Sequence, residues 1–194
     1  VSKLFLSLKL FRENMKVTSK NLFFRSVSHQ DSTFIFNLRS SKGEFINNHG
    51  YTKEINKNFI SESVVKESKG LGYYFVIYDS KEDIGVVRIY NLNTDKKTFT
   101  WGSWIIMDGK SPLYPLISAV MVYAFSFDYL GMEKSLFDVR NENIKVKSFH
   151  KKTGAIFLRN DEQDTYYSFN KNRYLILKEK YQKYIGEIKI LKTN

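Results

Sequence analysis

The sequence predicts a single mixed α/β domain, with a mostly antiparallel sheet and helices on both faces. Three observations carry this. Strand-like segments at 73–78, 84–90 and 98–107 follow one another with only short polar turns between them, which reads as an antiparallel meander. A long apolar helical stretch, 112–130, then precedes a further strand-like segment at 135–139, and a helix between neighbouring strands implies a parallel crossover. The 194 residues contain no Pro-, Gly- or Ser-rich linker and no internal repeat, as expected of one domain spanning 15–194.

Each element has a local reason. Residues 22–27 (LFFRSV) have strand composition. Asp31 is placed to cap a short helix whose apolar face is Phe34, Ile35 and Leu38. Residues 40–50 read as loop. Thr52 caps a second helix with Ile55, Phe59, Ile60 and Val64 on its buried side, ended by the glycines of 68–72. Residues 79–83 and 91–97 are the meander turns. Pro112 and Pro115 fall at the start of the long helix, where a missing N–H is harmless, and Gly131 ends it. A helix over 143–152 closes at Gly154. Strands at 155–158 and 165–169 flank an acidic turn, and 175–184 has helical character. Residues 1–14 read either as an extension upstream of Met15 or as an extra edge strand. Their apolar run is too short for a membrane helix and lacks the small-residue cleavage site of a signal peptide.

Composition narrows the chemistry. Hydrophobic residues at 42% supply a real core, and no apolar run reaches membrane-spanning length. The absence of cysteine removes disulfides, thiolate metal sites and a cysteine nucleophile together, and fits a reducing cytoplasm. The three histidines, His29, His49 and His150, have no metal-ligand spacing, so no metal site is expected. A net charge of +11 favours anionic partners, but no recognition-helix or RNP-type pattern accompanies it. The charge is therefore read as suiting a phosphorylated small molecule or a solvated surface, not nucleic acid.

In a mixed sheet, ligands prefer the place where neighbouring strands diverge. Here that place is the end of the 98–107 strand beside the 135–139 strand. The 108–111 loop opens the long helix, whose N–H groups and dipole favour phosphate.

From Asn143 the chain carries Val146 three residues on, Phe149 and His150 at six and seven, Lys152 at nine and Gly154 at eleven. These offsets, with the order of elements, resemble the GNAT acyltransferase superfamily over roughly 22–169. The run from Phe127 to Gly131 looks like the end of that family's long helix. LFFRSV followed by DSTFIFNLR resembles the start of its ribosomal-protein and amino-sugar branches, and His49 lies in the loop those branches use near the acceptor. One departure stands out. The family's pyrophosphate loop is glycine-rich, whereas Lys110 here keeps a cation but Ser111 and Leu113 replace both glycines.

The resemblance implies direct transfer from acetyl-CoA to a primary amine. The pantetheine arm would lie along Ile105, Ile106 and Met107, like an added strand. The phosphates would meet Gly109, Lys110, Ser111 and Leu113. Asn143, Phe149 and Lys152 would complete the acyl-CoA site. His150 stands where many relatives place a tyrosine acid. In the resemblance Thr100 stands where the family often has a strand glutamate, leaving His49, Asp79 through water, or His150 as base candidates. Arg39, His49, Trp101 and Trp104 are the acceptor candidates, with Arg88 as a second cation. The tryptophans, three apart on a strand, are expected on opposite faces. A nucleotide-linked amino sugar is the first acceptor choice, and a protein amino terminus or amino acid the second. A non-catalytic binding module and a monomer or homodimer complete the expectations.

Overall fold

The computed structural model describes residues 14–42 and 50–193. The strands are β1 (Asn14–Thr18), β2 (Phe23–Ser26), β3 (Tyr73–Tyr78), β4 (Asp83–Asn93), β5 (Thr98–Ile106), β6 (Lys134–Arg140), β7 (Ile156–Asn160), β8 (Asp164–Asn170) and β9 (Lys189–Thr193). The helices are α1 (Ser32–Ser40), α2 (Lys53–Ser68), α3 (Tyr114–Ala124), α4 (Ile144–Thr153) and α5 (Lys171–Ile185). A π-helical turn, Phe125–Tyr129, extends α3 to the predicted stop at Gly131, where φ is +70°.

All nine strands join one sheet in the order β7-β8-β6-β5-β4-β3-β2-β1-β9. Every neighbouring pair is antiparallel except β5–β6, the crossover that α3 makes. The expected mixed sheet is therefore present. Two strands lay outside the expected order. β1 takes Asn14 as its first residue, the rest of the expected extension lying outside the described residues. β9, KILKT, is largely exposed, so its sequence lacks the apolar face that marks a strand.

Helices cover both faces. α3, α5 and the inner side of α4 pack on one face around Phe75, Phe99, Trp101, Tyr123, Phe127 and Tyr174. α1 and α2 cover the other around Ile35, Ile60, Tyr74, Val76, Val86 and Ile105. α2 shows how tertiary packing corrects a helical stripe. Thr52 accepts from Ile55 N–H at 3.1 Å, as expected of a cap. Ile55 itself is 50% exposed, because the buried stripe runs through Asn56, Ile60, Ser63 and Glu67. Asp31 also differs from its expected role. It makes no side-chain cap to α1; its carboxylate receives both Arg25 guanidinium nitrogens, at 2.8 and 2.9 Å, and the Ser28 N–H at 2.7 Å.

No helix among the described residues is long and apolar enough to cross a membrane.

Candidate active site

The site is a wedge in the sheet. β5 and β6 pair at only two rungs, Thr98–Lys134 and Phe99–Ser135, and then separate, while β4 follows β5 as far as Ile106. The second arm of β5 thus has no ladder partner toward β6. Ile105, 6% exposed, and the half-buried Ile106 and Met107 form this arm. The Met107 N–H is already used, donating to the Ile84 carbonyl at 2.8 Å.

A bulge bends β5 at the opening. Val86 and Arg88 on β4 are matched by Ile105 and Gly102, so β5 spends one extra residue there. Ser103 takes a φ of +47° to do so. This overturns the expectation that Trp101 and Trp104 face opposite sides. The added residue restores them to one face, where their rings meet edge-to-face at 5.4 Å. Both lie on the α3/α4 side, Trp101 buried and Trp104 donating to Ser118 Oγ at 3.1 Å, whereas Arg39 and Arg88 lie on the α1/α2 side.

Past the arm, Gly109 adopts φ +75°, the left-handed conformation that suits glycine. Lys110 is not free. Its ammonium meets Glu82 on the β3–β4 turn, and that hydrogen bond raises its pKa. Asp108 pairs with Lys42 at 2.5 Å. The Ser111 carbonyl accepts from Tyr114 N–H at 3.0 Å, and exposed Leu113 occupies the N-cap position without a side-chain cap. With Pro112 and Pro115 supplying no N–H, α3 begins with few amides to offer a phosphate.

α4 forms as its sequence dictates. Asn143 Oδ1 accepts from Val146 N–H at 3.2 Å, leaving the Asn143 amide group no other hydrogen bond among the described residues. Gly154, at φ +97°, ends the helix. Phe149 packs on Trp104 at 5.1 Å across the wedge. His150 is 4% exposed and walled by Trp101, Trp104, Phe137, Phe149 and Tyr167. Its Nδ1 has no hydrogen-bond partner, and burial pushes its pKa down to about 3. The imidazole is therefore neutral at pH 7. Lys152 is exposed and reaches none of these groups.

The opposite face is cationic and aromatic. The Arg88 guanidinium lies over the rings of Phe59 at 4.4 Å, Tyr90 at 4.9 Å and Tyr74 at 5.9 Å. No carboxylate pairs with it among the described residues, and burial pushes its pKa down, with Arg39 repelling its charge. Arg39 sits over Tyr51 at 4.9 Å. Ser63, Lys66, Tyr74, Arg88 and Tyr90 line a cavity on this face. Tyr74 and Tyr90, which sequence reasoning missed, are raised in pKa by burial. Their signal was faint, since strand aromatics usually mean core.

The base candidates fare differently. His49 lies outside the described residues. Burial alone would raise Asp79, but the Lys81 and Glu82 backbone N–H groups at 2.8 and 3.0 Å outweigh it and hold the carboxylate below its ordinary range. Asp79 is thus committed to its turn and a weak base. Thr100 sits opposite Tyr90, with no group that could take a proton. Asp138, on β6, was not among the candidates, and burial, then Asp164, raises its pKa.

Comparison with known proteins places this arrangement. Residues 21–156 match the family described as "Acetyltransferase (GNAT) domain". Among solved structures, FdhC, described as a nucleotide-linked sugar GNAT, is 33% identical, with 88% of this chain and 98% of that one covered at a TM-score of 0.81. A chimera of the spermidine N-acetyltransferase SpeG from Vibrio cholerae with hSSAT is 18% identical, covering 80% and 99% at a TM-score of 0.70, and bears on the fold alone. No curated protein matches the sequence.

Proposed function

The chain belongs to the GNAT acetyltransferase family, and we propose that it transfers acetyl from acetyl-CoA directly to the primary amine of an anionic small molecule, first among them a nucleotide-linked amino sugar. One observation carries the choice of acceptor. Arg88 stands half-desolvated among three rings with no carboxylate paired to it among the described residues, and Arg39 nearby adds a second cation. A polyamine would be repelled there, whereas a diphosphate or carboxylate would compensate the charge of Arg88. Similarity to a nucleotide-linked sugar GNAT supports the same choice.

In this reading the free arm of β5 holds the amide-bearing tail of acetyl-CoA, with Asn143 as a further partner. Lys110, once its ammonium leaves Glu82, and the loop at Gly109 take the phosphates, with charge replacing the amide cradle that the start of α3 does not offer. The protein's main work is to align amine and thioester. His150, neutral at pH 7, acts on the departing sulfur as an N–H donor and not as an imidazolium.

The test begins with melting. Acetyl-CoA at a hundred times its dissociation constant should add about 2.7 kcal/mol of stability. Steady-state rates are then compared across nucleoside diphosphate-linked amino sugars, free amino sugars and spermidine. Arg88→Gln should raise KM for the diphosphate-linked sugars by about 10- to 100-fold, corresponding to a lost charged hydrogen bond of about 1.5–3 kcal/mol, and leave kcat nearly unchanged. Preference for spermidine, or an unchanged KM in the variant, would refute the anionic acceptor.

A further inference from the structure

An amine attacking a thioester must lose a proton, and the candidates within the described residues are poorly placed to take it. Thr100 has no basic atom, Asp79 is held in its turn, His150 is walled into the opposite face, and His49 lies outside the described residues. Building on the acetyltransfer reading, we propose that Asp138 is the general base of the reaction.

The sheet register locates it. β5 and β6 run parallel from the rungs Thr98–Lys134 and Phe99–Ser135, so three residues further Gly102 and Asp138 stand level where the strands part. On β6, Ser135, Phe137 and Val139 are buried, and the alternation turns Leu136, Asp138 and Arg140 outward to the other face. Arg88 and Tyr90 are the cross-strand partners of Gly102 and Trp101's neighbour Thr100, so they share that face. A Cβ on Gly102 would come within 3.1 Å of the Tyr90 hydroxyl, so the phenol lies directly over the glycine. The charge of Asp138 acts on the same phenol. Asp138 and Tyr90 thus bracket the mouth of the wedge, and Arg88 stands beside them. This is where an acceptor anchored on Arg88 would bring its amine to an acyl group arriving along β5.

The surroundings suit a base. Tyr90 from β4, Tyr166 and Asp164 from β8, Arg140 on β6 and Asp161 from the following turn are the titratable or charged groups around it. Burial and then Asp164 raise the carboxylate's proton affinity, and Arg140 opposes them. Its exposure lets it return the proton to solvent. The step balances. The amine nitrogen bonds the carbonyl carbon, the C–S bond breaks, the ammonium proton passes to Asp138 directly or through one water, and the thiolate takes a proton from solvent water, to which Asp138 returns the one it accepted. The products are an acetamide and CoA thiol, with Asp138 a carboxylate again once its proton is lost.

Asp138→Asn and Asp138→Glu should be assayed with acetyl-CoA and the best nucleoside diphosphate-linked amino sugar. The Asn variant should lose about 100-fold or more in kcat, with acetyl-CoA affinity and melting temperature retained. Toward acid pH the wild-type rate should fall as Asp138 is protonated, at a pH above that of an ordinary aspartate, and that limb should vanish in the Asn variant. The Glu variant, which keeps a carboxylate, should restore part of the rate and the limb. An Asn variant with wild-type kcat and an unchanged acid limb would overturn the inference alone. A wild-type protein that acetylates no amine would overturn the acetyltransfer reading, and the base with it.

Discussion

His150→Leu should flatten the acid side of the stability profile. In the folded chain His150 is neutral, its pKa pushed down from 6.5 to about 3 by burial among five rings. The unfolded chain takes up a proton below pH 6.5, and the folded chain refuses it. This contribution to stability is therefore complete above pH 6.5 and is lost as pH falls, by about 1.4 kcal/mol per unit, until the folded pKa is reached. Between pH 7.0 and 4.5 the wild type should lose about 2.5 kcal/mol through this group alone. Leucine cannot titrate. Its different packing, and removal of the unpartnered Nδ1, shift stability by an amount that does not depend on pH. Urea unfolding of both proteins at the two pH values isolates the slope, because every other titrating group cancels in the difference. Parallel pH dependence in wild type and variant would mean that His150 is charged or solvated in the folded state, and would refute the box.

Two further substitutions separate structure from ligand contact. Asn143→Ala removes the cap to Val146 N–H and should cost about 1 kcal/mol, a fall of about 2–4 °C in melting temperature. Asn143→Ser keeps a cap and should melt like the wild type, yet bind acetyl-CoA more weakly by calorimetry; equal affinity would remove the amide from the cofactor arm. Gly85→Ala places a Cβ 2.3 Å from the Ile105 carbonyl oxygen, which is backbone and cannot step aside. It should destabilise by about 2 kcal/mol or more and weaken acetyl-CoA binding, since Ile105 and Ile106 form the free arm. An unchanged denaturation midpoint would contradict that contact.

The helix from Asn143 to Gly154 shows what was legible in the sequence. Its cap, its left-handed stop and its family offsets are all local, and local chemistry sets them. The pairing of Trp101 with Trp104 was not legible, because alternation assumes an unbroken strand. The extra residue at Ser103 reverses the parity of everything after it, and only the register against β4 reveals it. Asp138 was hidden for a related reason. In SLFDV it reads as one exposed position of an edge-like strand, and nothing local says that Gly102, Tyr90 and Arg88 stand across from it.

The sequence by itself therefore determined the order of elements from β2 to β8, the parallel crossover and the acyltransferase helix, since periodicity, capping and offsets act over a few residues. Tertiary structure alone decided which groups meet. It closed His150 into an aromatic box, tied Lys110 to Glu82, set Arg88 among three rings, and set Asp138 at the mouth of the wedge. Protonation and charge pairing depend on neighbours brought from distant strands, and one residue of register moves them from one face to the other.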